Sequence, residues 1–256
     1  MLAALLYLGA GIGMGILGFF VRKKRPGREV PLGKADLPTV VGMVVLDILA
    51  PILLLFGLKT AAPENVSLLN NFEIVATALL ARCFFGERIE KPLLAGIVLI
   101  TLGSAVLTWN GENALAFSSG SFLVLGATVC WGLENNLTRR LSGKDPLQIV
   151  VIKGLFSGAG SLAITLAIGG FIWNPLAVLL SLLLGFVAYG LSIYFYVHSQ
   201  RRIGAAKTSA FYAVAPFIAA FLSLLFFREW PGWPFFAGLA LMIPGAFLAA
   251  RPSPAS

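Results

Sequence analysis

Phe84-Phe85-Gly86-Glu87 has an echo in Phe226-Phe227-Arg228-Glu229, and the leading phenylalanines, at 84 and 226, set an offset of 142 residues. Sliding the chain on itself by that offset aligns 58–108 with 200–250 without a gap. Pro92 falls on Pro234, Ala95 on Ala237, Gly96 on Gly238, Leu99 on Leu241 and Gly103 on Gly245, giving eight identities in the twenty positions from 84 to 103. Any two apolar helices share some Leu and Ala by chance. A Phe-Phe-x-Glu corner with one Pro and two Gly in register is an internal repeat.

The repeat is written in lipid-soluble residues. Hydrophobic side chains make up 58% of the chain and charged ones 12%, with a mean hydropathy of +0.90. That is about half the charge of a soluble domain, and too much apolar surface for one water-soluble core. Nine segments are long and apolar enough to cross a bilayer: 2–21, 37–58, 65–85, 92–109, 120–138, 147–172, 177–198, 207–227 and 233–250. The third and fifth carry the most polar residues. Short polar breaks with Gly, Pro, Asn or charge separate them. The alternation of a membrane barrel is missing, so the expected fold is an all-α polytopic bundle. The first span is no secretory signal, because its basic cluster, Arg22 to Arg28, follows the apolar run.

With the loop after the first span inside, the inner loops and span ends hold sixteen Lys and Arg, from Arg22 through Arg139 and Arg201 to Arg251. The outer side holds Lys59 and Arg228, with Lys153 inside a span. This bias places the N-terminus outside and the C-terminus in the cytoplasm. It also explains the +8 charge without nucleic acid. The Glu87 corner then faces in and the Glu229 corner out. An inverted repeat of this kind is the architecture of many secondary transporters, with solute held near mid-membrane. Spans five to nine make a five-helix unit, and spans one to four match its last four. The expectation is nine transmembrane helices of an intact ten, the first missing, with a truncated or misassigned start at Met1 favoured over a natural nine-helix form.

Two stretches carry a family resemblance. Ala61–Gly103 contains Phe84-Phe-Gly-Glu-Arg88 and ends in Gly96-Ile-Val-Leu-Ile-Thr-Leu-Gly103. The second runs Ile203-Gly-Ala-Ala-Lys-Thr-Ser-Ala-Phe-Tyr-Ala-Val-Ala-Pro216 and is followed by Phe-Phe-Arg-Glu229. Both resemble EamA domains of the drug/metabolite transporter superfamily. The resemblance implies a first repeat at 1–109, lacking its first helix, and a second at 120–251. It implies a secondary-active or facilitative carrier of amino acids, drugs or other metabolites, working as an exporter in a bacterial plasma membrane. The partners it implies are a small-molecule solute, protons as coupling ion, membrane lipid and a second copy in a homodimer. The copies differ where Glu73-Ile74 stands against Ala215-Pro216.

Ionisable groups inside spans are functional candidates by default. Asp47 lies about ten residues into the second span, ~15 Å deep at about 1.5 Å per residue. Glu73 is central in the third, and Asn70, Glu73 and Thr77 share one helix face. They fit an amine-bearing solute or a coupling proton. They equally fit a neutral carboxyl bonded to a neighbouring helix. Asp47 has the same two readings, and it stands one turn before Pro51, where freed backbone groups also need partners. Glu134 and Lys153 sit at similar depth on consecutive antiparallel helices, and are expected to form a salt bridge with a structural or gating role. Trp131, Glu134 and Thr138 share a face, flanked by Asn135 and Asn136 as interhelical bonders. Tyr212 aligns with Asn70 and is a cavity-lining candidate. Pro216 is a hinge candidate. Gly11/Gly15 and Gly154/Gly158, on repeat-equivalent spans, have GxxxG spacing for close packing.

No catalytic residues, metal site or cofactor are expected. Cys83 and Cys130 form no metal motif, His198 is the single histidine, and neither an HExxH nor a glycine-aspartate protease motif occurs. An intramembrane enzyme is therefore disfavoured. The standing alternative to a carrier is a scaffold or sensor with a degenerate transporter fold.

Overall fold

A backbone in hydrocarbon finds no water to bond, so it must satisfy its own N–H and C=O groups. The computed structural model describes residues 1–24, 29–61, 63–107, 109, 118–170, 174–228 and 232–251. Its helices are α1 (Leu2–Lys24), α2 (Leu37–Gly57), α3 (Pro63–Asn70), α4 (Phe72–Phe84), α5 (Lys91–Leu107) and α6 (Ser119–Leu141). They continue with α7 (Pro146–Ala167), α8 (Pro175–Leu184), α9 (Ser192–Ile203), α10 (Ala205–Tyr212), α11 (Ala215–Phe227) and α12 (Trp233–Ala250). Six stretches have the length and hydropathy of a span, among them Lys34–Gly57 and Pro175–Ile203. Among the described residues there is no strand. The protein is a polytopic helical membrane protein, as its hydropathy requires. Glu229, and with it the second corner, lies outside the described residues.

Three expected spans are not single α-helices. The seventh is α8 and α9 joined by a π-helical segment, Gly185–Leu191. The eighth breaks at Ala213 and Val214 between α10 and α11. Pro216 explains this break. It has no N–H, and its ring would clash with the carbonyl of residue 212 in a continuous helix. The proline stands at the second residue of α11, and its ring lies outside the described side chains. The third span breaks at Asn71, between α3 and α4. No proline is present there. Instead Asn71 Nδ2 donates to Ser67 O at 3.4 Å, the carbonyl that an α-helix reserves for the Asn71 N–H. That N–H turns to Leu68 O, at 3.3 Å. A side chain competing for backbone acceptors is the reason Asn sits poorly inside helices. Residues 71 and 213 are separated by the repeat offset, so both copies break at the same position by different chemistry.

The chain folds into two compact units. One contains 1–51 and 137–202, the other 52–136 and 203–256. Each draws equivalent spans from both sequence halves. In the first unit α1 packs along α7 through small residues. A Cβ on Gly154 would strike the Gly11 backbone, one on Gly158 would lie 2.8 Å from Leu8 N, and Gly15 faces Val151. Contacts that climb one helix as they descend the other make the pair antiparallel. Met43, Leu141, Ile149 and Val197 form a buried cluster in the same unit.

In the second unit α5 packs on α12 in the same way. A Cβ on Gly96 would meet Gly245 O at 2.7 Å, and one on Gly103 would meet Gly238 O at 2.7 Å. Gly96 and Gly238 are equivalent positions of the repeat, as are Gly103 and Gly245. Each helix therefore uses the same two glycines on the other, in reverse order. That is the contact pattern of an inverted repeat about a local two-fold axis. Ile97, Ile100, Phe217 and Met242 are buried around it. Without a hydrophobic drive between helices in lipid, close van der Waals contact holds such pairs. Gly154→Leu should therefore cost about 1–3 kcal/mol or more by overpacking, read as a lower thermal midpoint in detergent, whereas Gly143→Ala, with open space around it, should leave the midpoint unchanged.

Candidate functional site

The break at Asn71 makes α4 start inside what would have been one long span, and Glu73 stands in its first turn. A carboxylate is favoured there by the N-terminal dipole. Helix α6 reaches this place because Gly132 lies flush on α4: a Cβ there would lie 2.9 Å from Ala76 Cβ and Thr77 N. The close approach delivers two amides. Asn135 Nδ2 donates to Glu73 Oε1 at 3.0 Å and to Thr77 Oγ1 at 3.3 Å. Asn136 Nδ2 donates to Thr77 O at 3.0 Å and to Gly132 O at 2.8 Å.

Both donors of Asn136 are thus engaged, while its Oδ1 is buried and accepts no hydrogen bond. Asn70 Oδ1, at the end of α3, is in the same state. A buried amide oxygen without a donor costs about 1–3 kcal/mol. Such atoms call for a partner, and here two of them accompany a carboxylate at a helix break. Of the residues singled out from the sequence, Glu73 and Thr77 are brought together by Asn135, while Asn70 ends α3 on the other side of the break. Glu134 is buried and Trp131 half-buried on the same α6. Tyr212 ends α10 at the other break with 56% of its surface exposed.

A second polar group lies in the unit of 1–51 and 137–202. Asp47 is 1% exposed on α2 and accepts from donors on two other helices. Tyr7 OH donates to Oδ1 at 3.2 Å, Ser157 Oγ donates to Oδ2 at 3.3 Å, and Lys153 Nζ lies 3.4 Å from Oδ2. Lys153 is 6% exposed. The Tyr7 ring meets Tyr189 of the π-helical segment edge-on, with centroids 5.6 Å apart. Lys153 forms an ion pair with Asp47, a partner that the sequence reading did not match to it. Ser157 had a legible signal, since it stands four residues from Lys153 on one helix face. Tyr7 had none, because nothing in the sequence sets its depth against that of Asp47.

The corner glutamate also acquires a role. Glu87 Oε2 accepts from Ala205 N at 2.9 Å and Oε1 from Ala206 N at 3.1 Å. One carboxylate thereby caps the N-terminus of α10 from outside its own helix. Gly204 precedes this cap with φ +83, and a Cβ there would run into the carboxylate. The repeat pointed to Glu87 without revealing what it holds. Glu87→Ala leaves two backbone N–H groups without their acceptor and should lower stability by about 1–2 kcal/mol, measured by thermal unfolding in detergent.

Comparison with known proteins supplies the context. A family model described as the EamA-like transporter family matches residues 1–109 and 118–251. An "Uncharacterized transporter" of Methanothermobacter thermautotrophicus is 30% identical over 190 residues, covering 71% of this chain and 55% of that protein. The "Uncharacterized transporter YyaM" of Bacillus subtilis is 25% identical over 186 residues, covering 65% of this chain and 58% of that protein. A Streptantibioticus cattleyicolor protein named "Probable terminal-alkyne amino-acid exporter" is 29% identical over 210 residues, covering 78% of this chain and 68% of its own. The chain therefore spans a little over half the length of the first two. A solved crystal structure shares the fold, with a TM-score of 0.81 at 19% identity, over 97% of this chain and 86% of the other.

Proposed function

The chain belongs to the EamA-like transporter family, and from that premise we propose that it carries a small, hydrogen-bond-donating solute across the membrane as an exporter. The observations that carry the reading are Asn70 Oδ1, buried without a donor at the helix break that Glu73 follows, and Asn136 Oδ1, likewise without a donor on the residue after Asn135, which bonds Glu73. Acceptors alone select donors. A primary ammonium group offers three N–H donors and a positive charge for the carboxylate. An amine-bearing metabolite such as an amino acid fits that set, and one relative's printed name, an amino-acid exporter, agrees. Paired helix breaks at equivalent positions of two copies are the best pointer to a solute site in inverted-repeat carriers.

The reading is tested by counterflow of radiolabelled amino acids in liposomes containing the protein. Asn70→Ala and Glu73→Gln should each cut flux about tenfold or more, the loss expected from one hydrogen bond to a charged group. The wild-type chain should carry amine-bearing solutes better than their deaminated counterparts. Flux at the wild-type level in both variants sinks the site. Absence of flux from the wild-type chain across the panel favours a scaffold or sensor.

The Lys and Arg bias supports a cytoplasmic C-terminus in a plasma membrane. A fluorescent protein fused after Arg251 that folds only in the cytoplasm should glow. A dark but stably inserted fusion would reverse the orientation.

A further inference from the structure

We propose that Asp47 and Lys153 form a proton-exchange site, with Asp47 holding the lysine in one state of the protein and a proton in another. The inference rests on the carrier reading above, but it concerns a different site, in the unit of 1–51 and 137–202. Asp47 Oδ2 is 3.4 Å from Lys153 Nζ and accepts from Ser157 Oγ, while Oδ1 accepts from Tyr7 OH. Among the described residues, the titratable groups seen in contact with the carboxylate include Lys153 on α7 and Tyr7 on α1, and the Tyr7 ring meets Tyr189 of the π-helical segment. Both charges are buried.

A buried ion pair is stable while it is closed and costly when it opens, because each charge is then left in a medium that cannot solvate it. The cheapest answer for an isolated buried carboxylate is to become neutral. A helix displacement that carries the Lys153 ammonium to a hydrated position, where it keeps its own proton, therefore moves one proton from the aqueous phase to Asp47, and closing the pair returns that proton to water. The surroundings suit such a displacement. Asp47 stands one turn before Pro51, a proline inside α2, and α2 leaves this unit there. Tyr7 leans on a π-helical segment, an irregularity that recurs at functional sites. The small-residue contact of α1 with α7 adjoins both donors, since a Cβ on Gly154, next to Lys153, would lie 2.7 Å from Tyr7 O.

The test uses the full chain in liposomes with no solute, in choline buffer free of sodium, and reads protonated carboxyl groups by difference infrared spectroscopy over roughly pH 5–8. In the wild type a carboxylic C=O band should grow as pH falls. Its Asp47 component should vanish in Asp47→Asn and gain amplitude in Lys153→Met, which removes the competing cation. Asp47→Asn/Lys153→Met carries no buried charge at either position; it controls for folding and should show no more than the bands that remain in Asp47→Asn from other carboxyls. A wild-type protein without an Asp47 band anywhere in the window overturns the proposal and leaves a permanently ionised structural pair. A band displaced by added sodium also overturns it, in favour of a metal cation. Neither result touches the Asn70 and Glu73 flux test, so the two readings fail separately.

Discussion

In hydrocarbon every polar group must find its partner within the protein, and this requirement shapes the whole molecule. It makes the spans helical, and it decides where polar side chains can stand. Helices break where a side chain or a proline removes a backbone bond, as Asn71 and Pro216 do. The freed groups and the side chains beside them then gather into the polar places of an otherwise apolar protein.

Two such places differ in how completely they are satisfied. Around Asp47 the partners are complementary: an ammonium and two hydroxyls converge on one carboxylate. Opening this arrangement demands a compensating charge. Around Glu73 the balance tips toward acceptors, because Asn136 spends both donors on backbone carbonyls and keeps an idle oxygen. On the reading proposed above, the first arrangement suits a proton and the second a ligand that donates hydrogen bonds.

The scaffold that holds both is made from glycine. Equivalent helices of the two copies meet antiparallel, α1 on α7 in one unit and α5 on α12 in the other, with backbones close enough that a methyl group would collide. The glycines matter because lipid gives no hydrophobic reason for helices to associate, leaving packing to do so. Close approach of Gly132 to α4 follows the same rule and is what brings Asn135 and Asn136 within bonding distance of Glu73 and Thr77. The spaced glycines and corner glutamate shared by the two copies of the repeat are thus intelligible. The glycines set helix distances, and Glu87 ties the α4–α5 corner to the start of α10.

By itself the sequence determined that the chain lives in lipid, where its spans lie and that it repeats, because hydropathy over about 20 residues and an offset in register are local properties. Glu73 and Thr77 were legible together for the same reason, since helical spacing puts them on one face, whereas the break at Asn71 sets Asn70 on a different helix. The partners were not. Lys153 could be placed by depth, but not matched to Asp47, which lies beside it. Tyr7 had no local mark, and the Asn71 break carries no proline to announce it. Which side chains meet across helices depends on how deeply glycine lets two backbones approach and on the rotation of each helix. Those are properties of packing between segments far apart in the chain, and only the tertiary structure decides them.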